Sequence, residues 1–191
     1  MATAVDICNI GQDLLGAEAL ASIDAPRSAN EKRYARSYPI YLDSELRKRR
    51  WLFAKEFAVI TPTGDPIETD TKRLYRYEFP AGALRVLRES GSEWVVSGRQ
   101  LLSETNGEIR VWYIARKLEG FFDPNFCVML GAKLAEVLCE AVTQSNEKKA
   151  DAKERYQQAM RDAAMSNAFE IGPQNIADDD SKFSWVQSRY A

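Results

Sequence analysis

Five carboxylates, Glu31, Asp43, Glu45, Glu136 and Glu140, are the groups with which this chain could do acid–base chemistry. A pair of such groups can share the roles of general acid and general base. Their positions are those that the charged faces of helices would give them anyway. There is no histidine, which removes the commonest general base and the commonest metal ligand together. Ser-His-Asp and Cys-His arrangements are thereby excluded. No phosphate-cradling G-x-x-x-x-G-K-[ST], no G-x-G-x-x-G and no G-x-S-x-G occurs. Asp178-Asp179-Asp180 could take a divalent cation or serve as a solvated tether. It lacks the ligand spacing and the sharp glycine turn of a calcium loop. The chain is expected to be neither an enzyme nor a cofactor or metal carrier.

Two other groups of residues point to binding. Between residues 28 and 57, Lys32, Arg33, Arg36, Arg47, Lys48, Arg49, Arg50 and Lys55 stand against Glu31, Asp43, Glu45 and Glu56, a local excess of +4. The run Arg47-Lys48-Arg49-Arg50 could meet phosphates, face an acidic partner, or simply be solvated. The second group is the C-terminal stretch 170–191. Gly172-Pro173 leads into a polar spacer, the aspartate triplet, and then Phe183, Trp185, Val186, Arg189 and Tyr190. A stretch so polar cannot bury enough apolar area to order itself. Aromatic anchors on a polar tether are one way for a chain to grip a partner. The alternative is that Trp185 folds back onto the chain's own core.

Composition sets the frame. The 191 residues are 45% hydrophobic and 28% charged, ordinary globular usage and enough chain for a sizeable core. The net charge of −2 gives no global attraction to nucleic acid. Cys8, Cys127 and Cys139 have no C-x-x-C spacing, which predicts reduced thiols in a cytoplasmic product. Met1 to Ile10 has neither a basic n-region nor a long apolar stretch, so no secretory signal is expected. No run approaches the roughly 18 apolar residues of a membrane-spanning helix.

The elements that must position these groups follow from periodicity. Ile7, Ile10 and Leu14, with Cys8 and Leu15, predict a helix over 2–15 that stops at Gly16. Ser28-Ala29-Asn30-Glu31 is a capping box. The helix it opens carries Tyr34, Tyr38, Tyr41 or Leu42, and Leu46 on one stripe, with a kink or break expected at Pro39. The chain becomes extended among Trp51, Phe53, Phe57, Val59 and Ile60, and residues 61–72 form a loop. Residues 74–114 read as three or four short antiparallel strands. Ser97-Gly98-Arg99 and Asn106-Gly107 mark hairpin turns, and residues 83–87 are either a strand or a turn of helix. Asp123-Pro124 starts a largely apolar helix, in which Gly131, Ala132 and Ala135 allow close approach. Ser145-Asn146 separates it from a charged, alanine-rich helix over 147–169. The expected fold is α+β. Residues 1–60 and 115–169 make a helical bundle with a long C-terminal helical hairpin. Residues 61–114 make a small antiparallel β domain, and 170–191 an extended arm.

One ordered set of residues runs through nearly the whole chain. It begins with Leu15-Gly16-Ala17-Glu18, Ala21-Ser22-Ile23-Asp24 and the helix opened at Ser28. It continues through Tyr38 to Leu46, Trp51-Leu52-Phe53-Ala54 and Tyr75-Arg76-Tyr77. Phe79-Pro80-Ala81, Leu84-Arg85-Val86-Leu87, Trp94-Val95-Val96 and Gly98-Arg99-Gln100-Leu101-Leu102 follow. Val111-Trp112-Tyr113-Ile114, Phe122-Asp123-Pro124-Asn125-Phe126, the C-terminal helices with Tyr156, and Ser184-Trp185 with Arg189 complete the set. This pattern resembles the bacteriophage head-to-tail adaptor (connector) family, including the tail tubular protein A group. Gly82 departs from it, where the family often has an aspartate. The resemblance implies a structural virion protein at the head–tail junction, present in the host cytoplasm during assembly. Its partners would be the portal protein, tail or nozzle proteins, and further copies of itself in a ring, commonly of twelve. DNA would pass through the lumen without sequence-specific binding, and no membrane is involved. The C-terminal segment would embrace the portal, which makes Phe183, Trp185, Val186, Arg189 and Tyr190 the portal-binding candidates. The reading from residues alone leaves an alternative: a soluble regulatory or nucleic-acid-binding module that works through Arg47, Lys48, Arg49 and Arg50.

Overall fold

Every backbone N–H at the start of a helix needs an acceptor, and this sequence supplies a side-chain one at each of the four described α-helices. A computed structural model describes residues 2–68, 72–88 and 93–171. Helix α1 (Ala4–Leu15) opens with a capping box between Thr3 and Asp6 and ends at Gly16, whose φ of 63° only glycine adopts without strain. Helix α2 (Ala29–Lys48) opens with the capping box at Ser28. Glu31 reaches further than a box requires. Its carboxylate accepts from the backbone N–H of Arg27, Ser28 and Ala21 at 2.6, 2.7 and 3.1 Å. These bonds, Ser28's first and then Arg27's, lower its pKa to about 2. A carboxylate whose pKa drops on folding stabilises the fold above its unfolded pKa of about 4.3 and stops doing so as pH falls through its folded one. The Tm of the wild type should therefore exceed that of Glu31→Gln at neutral pH, with the gap closing from about pH 4.5 down to about pH 2. Thermal melts across that range test it, and a pH-independent gap would refute it.

Pro39 does not end α2, which runs through it from Ala29 to Lys48. The expectation of a break fails for an energetic reason. Tyr34, Tyr38, Leu42 and Leu46 on both sides of Pro39 are buried in one core. At about 1.5–3 kcal/mol per buried apolar side chain, that exceeds the roughly 3 kcal/mol a mid-helix proline removes. Helix α3 (Pro124–Thr143) starts at the Asp123 cap, which accepts from the N–H of Asn125 and Phe126. It ends at Gln144 in the left-handed region, φ 54°. Helix α4 (Asn146–Ile171) lies antiparallel against it as the second arm of a hairpin.

The four helices share a core built on α3, whose Phe126, Met129, Leu130 and Leu134 are fully buried. Helix α1 crosses α3 at glycines. A Cβ placed on Gly131 would sit 2.7 Å from Ile10 Cγ2 and 2.9 Å from the Ile7 carbonyl oxygen. One placed on Gly11 would sit 2.9 Å from the Gly131 carbonyl oxygen. Both glycines are conditions of that contact.

The described residues form seven strands, five of them in the stretch where three or four were expected. Sheet A is ordered β1 (Lys55–Ile60), β7 (Ile109–Ala115), β4 (Ala83–Leu87). Sheet B is ordered β2 (Ile67–Glu68), β3 (Arg73–Glu78), β6 (Gln100–Ser103), β5 (Trp94–Ser97). All pairs are antiparallel. Strand β1, grouped with the helices in the sequence reading, thus lies in a sheet, and β2 falls inside the expected loop. Residues 83–87 are a strand. Gly98, φ 60°, turns the β5–β6 hairpin as expected.

Asn106-Gly107 does not turn a hairpin, because β6 pairs with β3 and β5 whereas β7 pairs with β1 and β4. The chain changes sheet there. The Tyr77 hydroxyl, 2.6 Å from the Thr105 carbonyl oxygen and 2.9 Å from that of Gly107, fixes the crossing.

Sheet A is a middle layer. Val111, Tyr113 and Ala115 of β7 share a core with Tyr77, Trp94 and Leu101 of sheet B. Trp112 and Ile114, on the opposite face, pack on the helical core. In β4 the register shifts between Ala83 and Arg85. That bulge places Ala83 and Val86 on the sheet B side and Leu84 and Leu87 on the helix side, which strict alternation would forbid.

Candidate functional site

The basic run closes α2, and all four of its residues are exposed. Two of its cations are tied into the fold. Lys48 Nζ donates to Glu45 Oε1 at 2.6 Å and to the Tyr156 hydroxyl at 3.0 Å. Tyr156 in turn donates to Glu45 Oε2 at 3.0 Å. Burial alone would lower the Lys48 pKa, but the bonds to the fully buried Glu45 and to Tyr156 outweigh it and hold the pKa above its ordinary value. Lys133 of α3 stands 4.7 Å over the Tyr156 ring, so α2, α3 and α4 meet in one knot of charge. Arg50 Nη2 donates to the Arg88 carbonyl at the end of β4, and Arg85 Nη1 donates to the Arg47 carbonyl. The Asn167 side chain of α4 accepts from Leu52 N–H at 2.8 Å and donates to the Arg50 carbonyl at 3.1 Å. The run therefore stitches α2 to β4 and α4 while showing positive charge to solvent.

The candidate acids each have a structural partner. Glu31 caps α2 and Glu45 belongs to the knot. Asp43 pairs with Arg116, Glu136 with Lys133 and Glu140 with Lys149. Among the described residues no three metal-ligating side chains cluster. The three thiols are buried and unpaired with one another. Burial raises Cys8 to about 12 and Cys127 to about 11, which keeps both protonated near neutrality. No helix among the described residues is long and apolar enough to cross a membrane.

A further surface escaped the sequence reading. On sheet A the helices cover Leu87 and Ile114, which are 2% and 0% exposed, but leave out Phe57 and Val59, 45% and 49% exposed. Phe57 is the cross-strand partner of Trp112, ring centroids 5.0 Å apart. Lys55 Nζ lies 4.1 Å over the Trp112 ring, and exposed Arg110 is paired across from Val59. The result is an aromatic and aliphatic patch with a cationic rim on the edge strand of its sheet. The signal was in Lys55-Glu56-Phe57-Ala58-Val59-Ile60. Phe57 and Val59 face one way and Ala58 and Ile60 the other, so both faces of β1 are apolar and each needs a cover. Elsewhere, Leu14, Val128, Ala132 and Ala159 floor an open groove of about 260 Å³ between α1, α3 and α4. At the end of α4, Met165 and Phe169 are 58% and 78% exposed.

The portal-binding candidates Phe183, Trp185, Val186, Arg189 and Tyr190, and the aspartate triplet, lie outside the described residues. No family model matches the chain, and a search of curated proteins finds no match.

Proposed function

We propose that this protein is a structural virion component, a head-to-tail adaptor that forms a ring beneath the portal, extends the DNA channel and docks the tail. The observation that carries the reading is the ordered set of residues, from Leu15 to Arg189, that resembles that family. The α+β fold with its C-terminal helical hairpin is compatible with it. Helix α4 fits the role of an element between neighbours. Among its described side chains only Ala152 and Ala163 are buried, while Met165 and Phe169 face solvent just before the arm. Subunits of a closed ring meet through two different surfaces of the same chain, and the groove between α1, α3 and α4 and the exposed end of α4 are surfaces suited to that. The portal and tail proteins are the proposed partners, and DNA moves through the lumen without tight phosphate contacts.

Negative-stain microscopy of the purified chain, alone and mixed with a portal ring, tests the reading. Ring particles, or a collar added to the portal, are expected. A chain that stays monomeric at high concentration and with portal would sink the proposal. DNA retention that falls steeply with salt would favour instead a nucleic-acid module built on Arg47 to Arg50.

A further inference from the structure

The open face of sheet A is an apolar surface for which the described residues supply no cover. Helix α4 points to what covers it. Through Asn167 the end of that helix is bonded to the main chain of Arg50 and Leu52. Leu52 opens the short turn Leu52–Ala54 that leads directly into β1. The last described turn of α4 is therefore anchored beside the turn that leads into the strand carrying Phe57 and Val59.

We infer that in the free subunit the chain's own segment 172–191 lies extended along the edge of β1, with Phe183 and Trp185 packed on Phe57, Val59 and Trp112. Reach is ample. From Ile171 to Phe183 is 12 residues, up to roughly 40 Å when extended. Spacing agrees as well. Phe183 and Trp185 are two residues apart, as are Phe57 and Val59, so an extended segment puts each pair on one side. Charge agrees in sign. Asp178, Asp179 and Asp180 precede the aromatics, and the patch is rimmed by Lys55 and Arg110. Strand β1 stands at the edge of its sheet, and an edge strand is a template for a further one.

The inference concerns the free subunit and does not need a portal. Its consequence for assembly rests on the adaptor reading: the portal must compete the arm away from the sheet, so the aromatics stay covered until the partner is present.

Hydrogen exchange on the full-length chain tests it. Amides in 181–190 should exchange at least about tenfold more slowly than in an unstructured peptide, to the same extent at low and high protein concentration. The double variant Phe57→Ser with Val59→Ser should abolish that protection and leave the α3 amides unchanged. The triple variant Asp178→Asn, Asp179→Asn, Asp180→Asn should weaken it without touching the core, and it decides the matter if the double variant unfolds. Unprotected wild-type amides, or protection that survives these variants, would overturn the inference. Protection that grows with concentration would overturn it too, by assigning the face to a neighbour's arm. If the arm is protected as expected but no portal is bound, the adaptor reading fails and this one stands.

Discussion

Phe126→Ala is expected to lower the stability of the fold by about 3–5 kcal/mol, the usual cost of emptying a buried aromatic site. Phe126 is fully buried. Its ring meets those of Trp51, Phe53 and Phe122 at centroid distances of 5.1, 5.0 and 5.2 Å, each edge to face. Such pairs contribute beyond the area they bury, by about 0.5–1.5 kcal/mol each. The site has little freedom to collapse. Phe126 is fixed in the first turn of α3 by the Asp123 cap, and Trp51 is held by a bond from its indole N–H to the Glu45 carbonyl at 3.0 Å. Because Trp51 and Phe53 lead into β1, the loss should loosen sheet A from the helices as well as weaken the bundle. Urea unfolding followed by circular dichroism measures the effect. Phe126→Leu, which keeps most of the volume, should recover much of it. An alanine variant within about 1 kcal/mol of wild type would show that this cluster is not the joint between helices and sheet.

Ending the chain at Gly172 should have the opposite profile: a large effect on binding and a small one on stability. Among the described residues the cores run no further than Ala163, and the contact inferred above between the segment and β1 is at the surface, so Tm should fall by no more than a few degrees. Attachment to portal should weaken by roughly thirtyfold or more per subunit, since one buried aromatic hot spot is worth about 2 kcal/mol and the segment has Phe183, Trp185 and Tyr190. Repetition around a ring multiplies that through avidity. Thermal melts and co-sedimentation with portal read the two quantities separately. Unchanged portal binding would remove the arm's proposed role. A fall in Tm of many degrees would place the segment in the subunit's own core.

What was legible in the sequence was what neighbouring residues decide among themselves. Ser28 with Glu31, and Asp123 with Pro124, set helix starts within a single turn, and Gly16 set a stop. Pairings between distant residues were not legible. Lys55 opposes Ile114 across the whole β region, and nothing near either residue names the other. Asn106-Gly107 has the local chemistry of a hairpin, but sheet membership, a global property, overrode it. Of the kink or break expected at Pro39 the break does not occur, because its cost is local and the burial that outweighs it is not. The basic run was visible as charge, whereas its bonds to Glu45, Tyr156 and Arg88 depend on the tertiary arrangement.

The Asn167 side chain gives the molecule a mechanical property. Tension drawn from the C-terminal end of α4 does not have to be carried along the helix axis to the Thr143–Asn146 turn. Four residues before Ile171 it meets two hydrogen bonds to the main chain of Arg50 and Leu52. The adjoining backbone is tied to Arg85 and Arg88 of the β4 region. A pull on the arm is thus shared between the helical bundle and sheet A.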